Sequence, residues 1–177
     1  MNTATYNLEN DHVYILRLID VMERMTETKN LNPDIVDKVI FLIRNFADGL
    51  HHSKEENLLF PKMVEKGYSF EMGPVAVMMH EHVNGRNFVK GMAEANLKLR
   101  SGDAESAEEF VANMVGYIEL LRAHINKENN VLFRMADNVF STNEQQQLLE
   151  KFSILDNDKS RGMSSVDYIK LIEELER

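Results

Sequence analysis

The sequence predicts an all-α protein, an antiparallel up-and-down four-helix bundle over residues 1–140 followed by a C-terminal helical extension over residues 141–177. Three observations carry this. The 177 residues include 11 Met but only 3 Pro and 8 Gly, and no Trp, with Leu, Glu, Lys, Asn and Ala abundant, a mix that favours helix. Apolar residues recur at helical spacing in four long segments. A helical hairpin is also duplicated: HHSKEENLLF at residues 51–60 returns as HINKENNVLF at 124–133, agreeing at six positions with an offset of 73.

The first helix is expected over residues 8–27, where His12, Ile15, Leu16, Ile19 and Met22 share one face. Asn32-Pro33-Asp34 opens the second, with a capping side chain, a proline where no N–H is needed, and an acid at the positive end of the helix dipole. Its apolar stripe passes through Val36, Ile40, Ile43 and Ala47 and, continued along an α-helix, turns His51 and Glu55 inward and His52 and Glu56 to the flank. Pro61 is expected to kink or interrupt this helix, and Gly67 to end it. Gly73-Pro74 opens the third, whose inward positions are Val75, Met78, His82, Gly85, Val89 and Met92. Ser101-Gly102-Asp103 makes the next turn. The fourth helix carries Phe110, Met114, Tyr117, Leu121, His124, Glu128, Val131 and Met135 in a heptad-like seam. Ser141 with Glu144 is a capping box opening a helix to about residue 154, and after the polar stretch DNDKSRGMSS a last amphipathic helix bears Val166, Ile169, Ile172 and Leu175. This part is expected to pack on the bundle or on a second subunit, so a homodimer is compatible with the sequence.

The pattern H-x-x-x-E sets an imidazole and a carboxylate four residues apart on one helix face, where they can hold a metal ion. The repeat selects which residues do so, because His51 and Glu55 recur as His124 and Glu128 whereas His52 and Glu56 do not. Asp11-His12-Val13 and Glu81-His82-Val83 echo each other in the first helix of each hairpin. In an antiparallel bundle the six donors His12, His51, Glu55, His82, His124 and Glu128 fall in one layer. A single buried histidine needs only a hydrogen-bond partner. Two carboxylates and four imidazoles together in an apolar layer carry a desolvation penalty that cations relieve. Donor arithmetic favours two ions: if Glu55 and Glu128 both bridge and share a solvent oxygen, each ion has one octahedral position open. Imidazole with carboxylate suits iron, manganese or zinc. His52 and His80 read as partly exposed flank residues. Tyr14, Tyr117 and Arg86 are candidates for roles around the metal, with packing the simpler reading. Asp156-x-Asp158-x-Ser160 begins like a calcium loop, but Gly162 comes one place late and Asp167 replaces the closing glutamate, so it is set aside.

The absence of cysteine excludes disulfides, thiolate-held clusters and thiol catalysis. A formal charge of -9 and a pI near 5.2 argue against a nucleic-acid partner. With no signal-like leader and no apolar run of membrane-crossing length, no membrane association is expected and a cytoplasmic location follows.

His12, the HHSKEENLLFP stretch, His80-Glu81-His82 and HINKENNVLF, in this order over residues 8–138, resemble the hemerythrin-like, or HHE cation-binding, domains. The resemblance implies a non-haem di-iron centre, two iron ions bridged by two carboxylates and an oxo or hydroxo group, on the same six residues. Arg86 stands where oxygen carriers have a further histidine, and Asn129 where they have an aspartate. The ligand set is therefore more similar to the iron-sulfur-repair and iron-sensing branches, although repair proteins usually carry a cysteine-bearing N-terminal domain with no counterpart here. The expected function is binding or sensing of O2, NO or peroxide at the open positions. The alternatives are iron storage or donation related to iron-sulfur cluster repair, and peroxidase or oxidase turnover at the same centre.

Overall fold

The computed structural model describes residues 3–28, 31–158, 160 and 163–176. α1 spans Ala4–Thr28. Asn32 caps α2, Pro33–Leu42, its side chain accepting a hydrogen bond from the Asp34 backbone N–H at 2.9 Å. The helix then continues through π-helical Ile43–His52 and Glu55–Leu59 into α3, Phe60–Glu65, so that one rod covers residues 33–65. Pro61 does not interrupt it. In the π turn before it the Phe60 N–H already reaches back five residues to the Glu55 carbonyl, and the proline falls in the first turn of α3, where a missing N–H costs nothing. The rod ends in a Schellman turn: Gly67 has φ +100°, and the Tyr68 N–H donates to the Met63 carbonyl at 3.2 Å.

α4 spans Gly73–Arg100 and α5 spans Ser106–Lys127. A third π segment, Glu128–Leu132, joins α5 to α6, Phe133–Val139. The Ser141–Glu144 capping box opens α7, Thr142–Asn157, and α8 spans Ser165–Leu175. The fold is thus an all-α bundle of four rods, 4–28, 33–65, 73–100 and 106–139, with α7 and α8 laid against it.

Each π segment spends an extra residue per turn and so delays the apolar pattern by one place. Val131, expected inward, is 47% exposed, and Leu132 takes its place at 1%. In the second rod Leu59 and Phe60 are likewise fully buried while Leu58 is only partly so. Val166, also expected inward, is exposed; α8 buries Ile172 as expected and, in addition, Tyr168.

The apolar core is in two parts. One contains Ile15, Ile19, Phe46, Leu50, Val89, Met114 and Leu121, and receives Tyr168 and Ile172 from α8. The other contains Leu8, Leu59, Phe60, Met78, Leu132 and Phe133, and receives Leu148 and Phe152 from α7. The extension therefore packs on its own bundle. Gly162 of the calcium-like pattern lies outside the described residues. Among the described residues no helix is long and apolar enough to cross a membrane.

Candidate metal centre

Between the two parts of the core lies a buried polar layer to which every rod contributes. α1 supplies His12, the second rod His51, His52 and Glu55, α4 His82, and the fourth rod His124 and Glu128, all between 0% and 6% exposed. The structure brings together all six residues singled out by the repeat. His80 is exposed and Tyr14 lies beneath the Arg17 guanidinium, 5.3 Å from Cζ to ring centroid.

The layer has an internal two-fold relation. His12 and His51 bring their Nε2 atoms to 2.9 Å, and His82 and His124 theirs to 3.1 Å. Glu55 and Glu128 sit between the pairs, each with one oxygen toward either pair. Glu55 Oε1 is 3.6 Å from His51 Nε2 and Oε2 is 3.4 Å from His82 Nε2. Glu128 Oε2 is 3.2 Å from His12 Nε2 and Oε1 is 3.2 Å from His124 Nε2.

The outer edge of each imidazole is held as well. His51 Nδ1 faces Asp11 Oδ2 at 3.3 Å and His124 Nδ1 faces Glu81 Oε2 at 2.9 Å. His82 Nδ1 faces Glu56 Oε1, and His12 Nδ1 faces Asn129 Oδ1, both at 2.7 Å. These oxygens accept, so Nδ1 carries the hydrogen and Nε2 turns its lone pair inward. The acid before the first histidine of each hairpin thus orients the second histidine of the same hairpin. The residue after each glutamate orients a histidine of the other hairpin. Lys54 Nζ fixes Asp11 Oδ2 at 2.9 Å, and Lys127 fixes Glu81. Phe133 stacks on His12 with centroids 5.5 Å apart, and Phe60 on His82 at 5.9 Å. The repeat's lysine and phenylalanine identities therefore brace the layer.

This donor set fits cations. All four oxygens of Glu55 and Glu128 are buried and have no hydrogen-bond partner; the imidazoles stand near them without hydrogen-bonding geometry. Inward lone pairs facing each other at 2.9 and 3.1 Å would repel, yet two nitrogens bound side by side to one ion at about 2.1 Å stand roughly 3 Å apart. Burial and the neighbouring Glu128 push the Glu55 carboxyl well above the usual range. Burial also works against ionising Glu128, but His124 and His12 overcome it and hold that carboxyl well below. His51 is lowered to about 4 by burial and by His12. Burial works against charging His124, but Glu128 and Glu81 outweigh it and raise this imidazole to about 9, so without a cation its Nε2 carries a proton that metal binding would displace.

His52 is a correction to the sequence reading. It is not a flank residue but 6% exposed, and it groups with Glu55, His82 and His124 as potential ligands within 4.8 Å of one another. The π turn through residues 43–52 brings both adjacent histidines inward, which an α-helical stripe forbids. Its Nδ1 faces Asp48 Oδ1 at 3.1 Å, and Arg86 grips both Asp48 and Glu56 at 2.7 Å. His52 stacks on His82 with centroids 3.8 Å apart and planes at 14°, unlike the symmetric pairs at 4.6 and 4.8 Å and about 60°. It therefore breaks the two-fold relation on the His82/His124 side. On the His12/His51 side the break is Lys54, fully buried and also 2.6 Å from Asp156 of α7. Lys127, its counterpart, is 40% exposed. The sequence signal for Asp11, Glu81 and Lys54 lay in the repeats. His52, Glu56 and Arg86 recur as no identical residue, and of the three only Arg86 stands out in the sequence as a candidate beside the metal.

Comparison with known proteins points the same way. The family model "Hemerythrin HHE cation binding domain" matches residues 3–136. An uncharacterized protein of Mycobacterium tuberculosis is 23% identical over 154 residues, 85% of this chain and 60% of that protein. The iron-sulfur cluster repair protein YtfE of Musicola paradisiaca is 29% identical over 126 residues, 69% of this chain and 55% of that protein. The chain thus spans about 60% or less of the length of these curated relatives. No solved structure gives a significant match.

Proposed function

The chain belongs to the hemerythrin HHE cation-binding family, and on that footing we propose that it is a di-iron protein that binds or senses a small oxidant, O2, NO or peroxide. The observation that carries the reading is the set of four orphaned carboxylate oxygens, one from each glutamate toward each imidazole pair. His12 and His51 would hold one ion, and His82 and His124 the other. Glu55 and Glu128 would be shared by both ions, and His52, stacked on His82, would border the second position without filling it. Manganese or zinc suits the same donors, and iron is preferred from the family and from the iron-sulfur repair relative. A pair of iron ions there would supply one-electron redox chemistry and open coordination positions.

The protein's own part is to prepare that layer. The oxygens on each Nδ1, the Asn129 amide for His12 and carboxylates for the others, fix the imidazole tautomer and raise its basicity. The two apolar cores exclude water, which strengthens every charge interaction between them. Arg86 holds Asp48 and Glu56 in place, and through them His52 and His82.

Anaerobic loading with ferrous iron should give two irons per chain, and admission of O2 or NO should then change the visible absorption spectrum. An unchanged spectrum with two irons bound would sink the oxidant reading. The likeness to a repair protein favours a second reading, a labile iron store donated to a client. Rapid loss of both irons to a mild chelator would support that one. Steady consumption of peroxide with an added reductant would instead mark a peroxidase.

A further inference from the structure

A cavity of about 290 Å³ lies between the second rod, α4 and α5. Its floor includes His52, His82 and His124, and neither His12 nor His51 borders it. Its walls include Ile43, Val89 and Leu121, with Arg44 and Lys90, both exposed, among its polar lining. A water molecule's share of liquid volume is roughly 30 Å³, so the space admits a ligand of several heavy atoms. Beside His51 the buried Lys54 instead ties Asp11 to Asp156 of α7, at 2.9 and 2.6 Å, and covers that side.

Tyr117 borders this cavity. It is 3% exposed, and its ring lies against Gly85, where an added Cβ would come within 3.6 Å of Cε2. Its hydroxyl has no hydrogen-bond partner among the described residues, and burial raises its pKa, so it remains a neutral donor. A phenol that borders a cavity and has no protein partner can donate to whatever acceptor the cavity holds.

We propose that exogenous ligand reaches the centre from one side only, through this cavity to the His82/His124 position, and that Tyr117 donates a hydrogen bond to the ligand's outer atom. The ligand class is a small oxidant whose outer atom is a hydrogen-bond acceptor. This rests on the reading of the layer as a metal centre for such oxidants. Tyr117 is a positioning residue, and the strength of its hydrogen bond should set how long the ligand stays.

The test uses the full chain loaded with two ferrous irons, with NO as the probe. In Tyr117→Phe the iron content should stay at two per chain, NO should dissociate several-fold faster, and the N–O stretching frequency should shift. Leu120→Trp, a half-buried position on the cavity wall, should slow NO association about tenfold without altering iron content. Unchanged stretch and dissociation in Tyr117→Phe, with two irons and NO bound, would overturn the role of Tyr117 while leaving the metal reading intact. Unchanged association in Leu120→Trp would overturn the one-sided route. If the loaded wild-type chain takes up no NO at all, the oxidant reading fails and this inference fails with it.

Discussion

Stripping metal from the loaded protein lowers its midpoint of thermal unfolding by roughly 15–30 °C, because two ions that bind only the folded layer each stabilise it by about 4 kcal/mol at a free concentration a thousand times the dissociation constant. The cause is local. Glu55 and Glu128 are fully buried with unpartnered oxygens, and such groups are costly until a cation compensates them. The double variant Glu55→Gln/Glu128→Gln keeps the volume and removes the charge. It should melt at the same temperature with and without metal, and no lower than the metal-free wild type. Calorimetry of both proteins with and without a chelator checks this. A wild-type melting temperature insensitive to metal would count against a centre in this layer.

The second large effect concerns Lys54. Its ammonium is wholly buried and reaches Asp11 at 2.9 Å, Asp156 at 2.6 Å and Asn7 at 3.1 Å. Lys54→Met leaves two carboxylates facing each other without a counter-charge and should cost about 3–5 kcal/mol. Lys127→Met, at the two-fold related but 40% exposed position, should cost no more than about 1 kcal/mol. Asp11 is also the group that orients His51, so Lys54→Met should weaken iron retention at the His12/His51 position first. Denaturant melts of both variants and a cycle with Asp156→Asn separate the terms. Equal costs at the two lysines would show that α7 contributes nothing to the centre.

Much of this was legible in the sequence. The apolar stripes located the rods, the Asn32 cap and the Ser141–Glu144 box located two helix starts, and the repeat drew out six of the seven inward polar residues. What escaped notice has one physical origin. A stripe continued on α-helical geometry places Val131 inward, Pro61 at a break and His52 on the flank. The π segments at residues 43–52, 55–59 and 128–132 shift all three. Nothing local in a sequence announces an i→i+5 turn; its hydrogen bonds are chosen by the layer it serves. Of the residues that hold an Nδ1, Asp11 and Glu81 were legible as an echo, as were Lys54 and Lys127 that grip those two acids; their roles run between helices distant in the chain. Glu56, Asp48 and Arg86 left no echo at all.

The central claim is that two cations sit between the imidazole pairs. Anomalous diffraction from crystals of the metal-loaded protein measures it directly. Two peaks are predicted in each chain, one beside His12 and His51 and one beside His82 and His124, with Glu55 and Glu128 touching both. A single peak, or none within this layer, would contradict it.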